Sequence, residues 1–495
     1  MSIKRYVATK DTTITNAFKS GLVNRAEEAN MGASDVLEVF SIYAQASTSS
    51  VELSRALVEF PINTIIADRA ANKIPASGSV SYYLKVSNAI HTFTTPKDYS
   101  LVVQPISRSW VEGSGLDMEQ YKDEGPANWV SASSTVAWTS AGGDYHVTPV
   151  YEQEFDTGIE DLEVNITDLV EEWIDGTKEN YGVGIQLSSS LETAERSYYT
   201  KKFFARRSEF FFKRPWIEAR WDSAVKDDRE NFYVSSSLLP AEDNLNSLYL
   251  YNRFRGRFVN IPDIGTGSIY VSLYPAADTA ITTPHCGGET VSYPDVDDTP
   301  GSTPLTLHTG DTVATGSFVS TGIYKVDVAV NTTASIIFDV WHNNVDGVGR
   351  VEYFTGSAIH VYDYKGESDY EVKDYVINVT NMKPVYSKTE NARFRMYARS
   401  KDWQPTVYTV AVNDVEVEPV DNAYYKIFRV VDDYDVIPYG TGSDNHTLLS
   451  YDKEGNYFDV DMTSLQPGYS YGIKFVFLQE GEYREQKESF KFRVE

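Results

Sequence analysis

Residues 322–330 read GIYKVDVAV, and this pattern recurs along most of the chain. Tyr324, Val326, Val328 and Val330 fall on one side of an extended segment, Lys325 and Asp327 on the other. A period of two puts one face against a core and the other in water, which is a half-buried β-strand. Comparable short runs are ALVEFPI (56–62), SVSYYLKV (79–86), YSLVVQPI (99–106), YGVGIQL (181–187), SIYVSLY (268–274) and ASIIFDVW (334–341). Gly and Pro punctuate them, and Tyr alone supplies 35 of 495 residues, which favours strands. One stretch, ITDLVEEWIDG (166–176), has helical spacing instead. There Leu169, Val170 and Trp173 share a face, Thr167 is expected to cap the first amides, and Gly176 to end the helix in the left-handed conformation. The expected class is all-β with one short helix in the first domain.

At roughly 100–200 residues per domain, the length suits two to four domains. Three β-rich regions are expected: 1–222, 223–366 and 367–495. Residues 275–316, rich in Thr, Pro, Gly and Asp, read as a long exposed loop or an inserted hairpin. The final LQPGYSYGIKFVFLQEGEYREQKESFKFRVE reads as two antiparallel strands with a turn near Gly481. The N-terminal RYVATKDTTIT could pair within its own sandwich or with a neighbour.

A formal net charge of −27 argues against general nucleic-acid binding, which needs a basic surface to displace counterions. With Cys286 as the one cysteine, no intrachain disulfide can form. The opening MSIKRYVATKDTTITNAFKSG has no apolar core of an export leader, and no apolar run is long enough to span a membrane, so synthesis in a bacterial cytoplasm is expected.

Few residues stand in a pattern that carries chemistry. Phosphate-loop, nucleophile-elbow and zinc-helix patterns are missing, and the His residues are scattered. His285 and Cys286 could share a soft metal, but a plain loop is the preferred reading. The acidic loops 295–298 and 432–445 offer oxygen ligands that suit Ca²⁺, though neither completes a calcium-loop pattern, and solvated turns are preferred. Trp110, Tyr121 and Trp129 bring aromatic rings near carboxylates and could hold a sugar ring, with loop packing as the favoured alternative. No enzyme and no cofactor is expected.

Residues 201–221, KKFFARRSEFFFKRPWIEARW, concentrate seven Lys or Arg and seven Phe or Trp in an acidic chain. In the second half Ile217, Ala219 and Trp221 alternate with Trp216, Glu218 and Arg220, and Pro215 suits a first strand position. The first half reads as a bulged strand or a strand and turn. The preferred reading is a structural strand pair whose cations are solvated or paired, ahead of an acidic partner or an anionic polymer.

Six pieces in order resemble the DNRLRE-type β-sandwich family: DTTITNAF (11–18), SRALVEFPI (54–62), Ile74-Pro75 with Gly78, PISRSWVEGSG (105–115) with Trp129, ITDLVEEWIDGTKENYGVGIQL (166–187) and ARRSEFFFKRPWIEARW (205–221). The inserts NTIIADRAANK (63–73) and about 130–150 depart from the family pattern. At the other end, SLQPGYSYGIKF (464–475) resembles the immunoglobulin or fibronectin type III strand with a tyrosine corner, which would fall on Tyr471 with Tyr469 beside it. The resemblances imply tandem β-sandwich domains, jelly-roll-like first and immunoglobulin-like last. The first family occurs in surface, carbohydrate-associated and phage structural proteins. Its implied role here is a non-enzymatic structural protein of a tailed bacteriophage virion, as decoration, neck, tail or fibre. Its partners would be other virion proteins in a homo-oligomeric or symmetric assembly, with host-surface glycan contact at exposed tips. The alternative is a carbohydrate-binding adhesin module of a bacterial surface protein.

Overall fold

The computed structural model describes residues 2–90, 96–276, 281–284, 290–293, 300–344, 349–364, 373–404 and 417–495. Strands dominate, and the chain is all-β with several sheets. It divides into two compact units. The first holds 1–223 with 440–447 and 461–469; the second holds 224–439, 448–460 and 470–495.

In the first unit a four-stranded antiparallel sheet runs Ile3–Val7, Trp216–Arg220, Ser81–Val86, Leu162–Asn165. A seven-stranded sheet runs Tyr198–Phe204, Val36–Tyr43, Val51–Glu59, Val183–Leu187, Tyr99–Pro105, Tyr151–Phe155, with Lys10–Thr15 also paired to Val51–Glu59. Alternating apolar residues of both sheets, among them Leu84, Val86, Ala219, Val58, Val103 and Ile185, meet in one core, as burial of one face per strand requires. The N-terminal strands therefore pair inside their own unit, Ile3 opposite Arg220 and Asp11 opposite Val58.

Among the described residues there are three α-helices rather than one. Helix α1 (Ile62–Ala70) forms from the insert NTIIADRAANK and buries Ile65 and Asp68. Helix α2 (Thr167–Asp175) buries Leu169, Val170 and Trp173, and Gly176 ends it at φ 80°. Helix α3 (Ser189–Glu192) is a single turn. Thr167 does not cap α2. It is the first helical residue, and its hydroxyl accepts the Tyr82 amide at 2.8 Å while Asn165 Oδ1 takes the Thr167 amide at 3.0 Å. That hydroxyl also donates to Asn165 Oδ1 at 2.6 Å, so it is spent on groups outside the helix.

In the second unit an eight-stranded sheet includes Phe232–Tyr233, Ile359–Tyr362, Ile336–His342, Ile269–Pro275, Ala314–Ser320, Ile323–Val328 and Asn246–Tyr251. Its core holds Leu248, Val271, Tyr324, Val326 and Trp341. The segment 275–316 contains an inserted hairpin, Ile281–Pro284 against Thr290–Tyr293. A four-stranded sheet (Tyr375–Val379, Asn391–Ser400, Gly455–Asp461, Ser450–Asp452) and a six-stranded sheet centred on Ser470–Gln479 complete the unit. Aromatic pairs such as Tyr425–Phe458, with centroids 4.1 Å apart, and Phe394–Phe492 fill its interior. Tyr471 is fully buried against Phe492. The C-terminal stretch turns at Glu480 and Gly481 as expected, and its returning strand is interrupted: Glu482–Glu485 and Phe490–Val494 pair one after the other along the same edge of Ser470–Gln479, the edge opposite Ala423–Arg429.

Candidate functional site

The aromatic trio proposed for sugar does not assemble. Trp110 and Trp129 are 2% and 6% exposed and pack with Trp138, Ile14, Leu57 and Ile106. The Trp110 indole donates to the Tyr181 carbonyl at 2.8 Å, and Trp129 lies against the Arg55 guanidinium. Tyr121, 68% exposed, stands apart from both. Three indoles leave too little aromatic face for a ligand once the loop has closed over the sheet.

The basic, aromatic stretch 201–221 resolves into two strands in different sheets, not a pair. Tyr198–Phe204 carries a register shift, and Trp216–Arg220 follows a turn that ends at Pro215. Lys201 is 2% exposed, lies over the Phe155 ring, and donates to the carbonyls of Gly158 and Glu160. Burial pushes its pKa down to about 8. Lys202 meets Glu38 at 2.7 Å, and Arg206 grips Glu112 through two bonds of 2.7 and 2.6 Å. Arg220 meets Glu163 and Glu218 at 2.6 and 2.7 Å. These cations are internal fastenings.

Of the calcium candidates, 295–298 lie outside the described residues, as do His285 and Cys286. In 432–445, Asp432 pairs with Arg429, and Asp444 accepts from Ser81 and Tyr83. Among the described residues no group of three or more His, Cys, Asp or Glu is placed to hold a metal ion. No helix among them is long and apolar enough to cross a membrane.

Two features that the sequence reading missed concentrate chemistry in the second unit. The first is a pocket of about 230 Å³ beside Asp227 and Arg229. A 3-10 turn, Asp228–Glu230, sends Arg229 inward, where Asp339 on strand Ile336–His342 receives both terminal nitrogens at 2.6 and 2.5 Å. The Trp341 indole donates to the same carboxylate at 2.5 Å. Gly356 allows this approach, since a Cβ there would fall 1.8 Å from Asp339 Oδ1. Asp228 accepts from Tyr451 OH and the Ser247 amide, and burial raises its pKa to about 6. Asp227, 3% exposed, is raised to about 7, chiefly by burial, with Arg229 opposing and Asp339 reinforcing. Its Oδ1 accepts no hydrogen bond, the Arg229 Nε being 3.5 Å away, and the buried Tyr251 hydroxyl has no partner either. Tyr249 and Tyr251 stack in the wall with ring centroids 6.1 Å apart, and Asp452 and Glu454 stand at the same pocket with Lys453, both carboxylates already paired with Arg395. The carboxylates of this pocket are thus already met by Arg229 and Arg395.

The second feature is the hairpin Arg253–Phe254 against Arg257–Phe258, turning on Arg255 and Gly256 at φ 50° and 78°. Those two left-handed residues make the tight turn that favours a two-residue hairpin. All six residues are exposed, Phe254 by 63%. Arg253, Arg255 and Arg257 enter none of the ion pairs among the described residues, and Arg253 and Arg255 lie over Phe258 and Phe254 at 4.4 and 5.2 Å. The signal was legible as RFRGRF, alternating cation and ring about a glycine.

No family model matches the chain, and no curated protein matches it. Among solved structures, the native conformation of E. coli alpha-2-macroglobulin aligns over 98% of this chain and 28% of that chain, at 8% identity and a TM-score of 0.15. The chain thus spans about 28% of that protein's length, and a likeness so slight carries no argument.

Proposed function

We propose that this chain is a non-enzymatic structural protein of a tailed bacteriophage virion, a decoration, neck, tail or fibre component that acts by docking to other proteins. The observation that supports docking is the arginine hairpin. Three exposed cations without acidic partners, in a chain of net charge −27, form a contact surface left unsatisfied by the fold. The assignment to a phage particle rests on the sequence resemblance of residues 1–222 to sandwich domains of surface and phage structural proteins. The buried charge clusters, Arg206 with Glu112 and Arg229 with Asp339, are saturated by one another and serve as fastenings in this reading. Banding a lysate of the natural source on a density gradient tests it. Co-migration of the chain with intact particles through a high-salt wash supports the role, and recovery only in cell envelopes refutes it in favour of a surface adhesin.

A further inference from the structure

We propose that the arginine hairpin Arg253–Phe258 is a rigid plug for a crevice on a different protein, one with apolar walls and carboxylates at its rim. This rests on the docking reading and gives the partner's chemistry. Residues 253–259 are seven exposed residues in succession, and Phe254, Phe258 and Val259 are 63%, 38% and 42% exposed. The base of the hairpin is pinned. The Asn252 amide donates to the Gly322 carbonyl at 2.7 Å, the Val259 amide to the Asn252 carbonyl at 3.1 Å, and Asn252 Nδ2 to the Val259 carbonyl at 2.6 Å. Gly322 permits this, since a Cβ there would fall 2.6 Å from the Asn252 carbonyl oxygen. A ribbon held in one shape loses little freedom on binding. Tight hairpins with two left-handed residues favour Asn-Gly or Asp-Gly, but here the first is Arg255, at φ 50°. A residue that the turn disfavours, standing at the tip, points to use of its charge.

Charge and ring placement select the partner. Arg206, Arg220, Arg229 and Arg395 all meet carboxylates, in a chain with 71 acidic and 44 basic residues. Among the described residues, Arg253, Arg255 and Arg257 enter no such pair. Arg253 stands opposite Phe258, and Phe254 opposite Arg257, so each face of the ribbon carries one cation and one ring. Like chemistry on both faces is met by two walls, not by one flat surface. A guanidinium fork matches a carboxylate at such a wall. Nucleic acid is disfavoured, because bases stack on open ring faces, and Arg253 and Arg255 lie over Phe258 and Phe254 at 4.4 and 5.2 Å. An anionic lipid plane, or a second copy of this chain, would confront the whole net charge of −27 with more negative charge. A different protein can place carboxylates only where the hairpin reaches.

Photo-crosslinking in the natural source tests this. The full chain is expressed there with p-benzoylphenylalanine in place of Phe254, and the adducts formed under ultraviolet light are digested and sequenced. The expected adduct is with one other protein, joined through a segment that contains Asp or Glu. R255E/R257E in the same chain should lower its yield roughly tenfold or more, the scale of one lost charge-assisted pair. Changing the carboxylates of the joined segment to Lys should restore the adduct with R255E/R257E, which also shows that the variant folds. No adduct, or one with lipid, nucleic acid or a second copy of this chain, overturns the proposal. So does a yield that R255E/R257E leaves unchanged, or a charge swap that fails to restore it. If the chain bands with particles while the adduct ignores these arginines, the virion reading stands and this contact alone fails. If the adduct behaves as expected but particles lack the chain, the contact stands and the virion reading fails.

Discussion

Removing the Asp339 carboxylate should be among the costliest single changes in the second unit. Asp339 is 0% exposed, receives Arg229 through two bonds, and holds the Trp341 indole. Asp339→Ala leaves a guanidinium that is 9% exposed with only the Tyr249 carbonyl at 3.1 Å and Asp227 at 3.5 Å. Breaking a buried pair from one side costs about 3–5 kcal/mol, because the remaining charge stays desolvated. Replacing the pair with apolar groups of similar size is close to neutral, because the desolvation cost of both ions disappears together. Asp339→Leu with Arg229→Met is therefore expected to be more stable than Asp339→Ala by at least ~2 kcal/mol. Urea unfolding followed by fluorescence reports on this region through Trp341, whose indole bond to Asp339 is lost in both variants. Additive costs in a double-mutant cycle of Arg229→Met and Asp339→Leu would refute the reasoning, since they would mean that neither charge depends on the other.

Gly182, at φ 81°, would place a Cβ 2.0 Å from the Val58 carbonyl oxygen, so Gly182→Ala should cost ~3 kcal/mol or more in thermal or urea unfolding. Gly176, at φ 80° with nothing within 4 Å, should lose only ~1 kcal/mol on the same change, the conformational penalty alone. Asp11, raised from 3.8 to about 7 mainly by burial, binds its proton more tightly folded than unfolded. Its contribution is therefore full at acid pH and is lost as pH rises from about 4 to about 7, by ~1.4 kcal/mol per unit. Asp11→Asn should remove that slope, gaining stability over wild type at pH 8 and not at pH 4; an unchanged difference across this range refutes it. Glu218, 1% exposed between Arg5 and Arg220, is held down to about 2 by those cations against its burial. Its contribution is present above the usual carboxylate range and is lost as pH falls from 4.5 towards 2, so Glu218→Gln should flatten acid unfolding in that window.

The strand content was legible because period-two alternation is a local signal. Tyr324, Val326 and Val328 announce their buried face without reference to any partner strand. Helix α2 showed itself through Leu169, Val170 and Trp173, but α1 did not, since Ile62–Ala70 buries only Ile65 and Asp68 and has little periodicity to display. The capping role of Thr167 failed because its hydroxyl is taken by the Tyr82 amide of another strand, a tertiary effect. The site was less legible. Trp110 and Trp129 advertise aromatic surface, and only the closed loop shows that both rings are interior. Asp227, Tyr251 and Glu454 are scattered over more than two hundred residues, so no spacing rule could gather them. The hairpin is local and legible in RFRGRF; the stretch 201–221 is richer in cations and rings, but Lys202, Arg206 and Arg220 there are paired with carboxylates.

The central claim, that this is a docking protein of a virion, is tested most directly by immuno-electron microscopy of a lysate of its natural source with an antibody to this chain. The account expects label at one fixed position on phage particles, repeated with the symmetry of that position. Label on cell envelopes beside bare particles would contradict it.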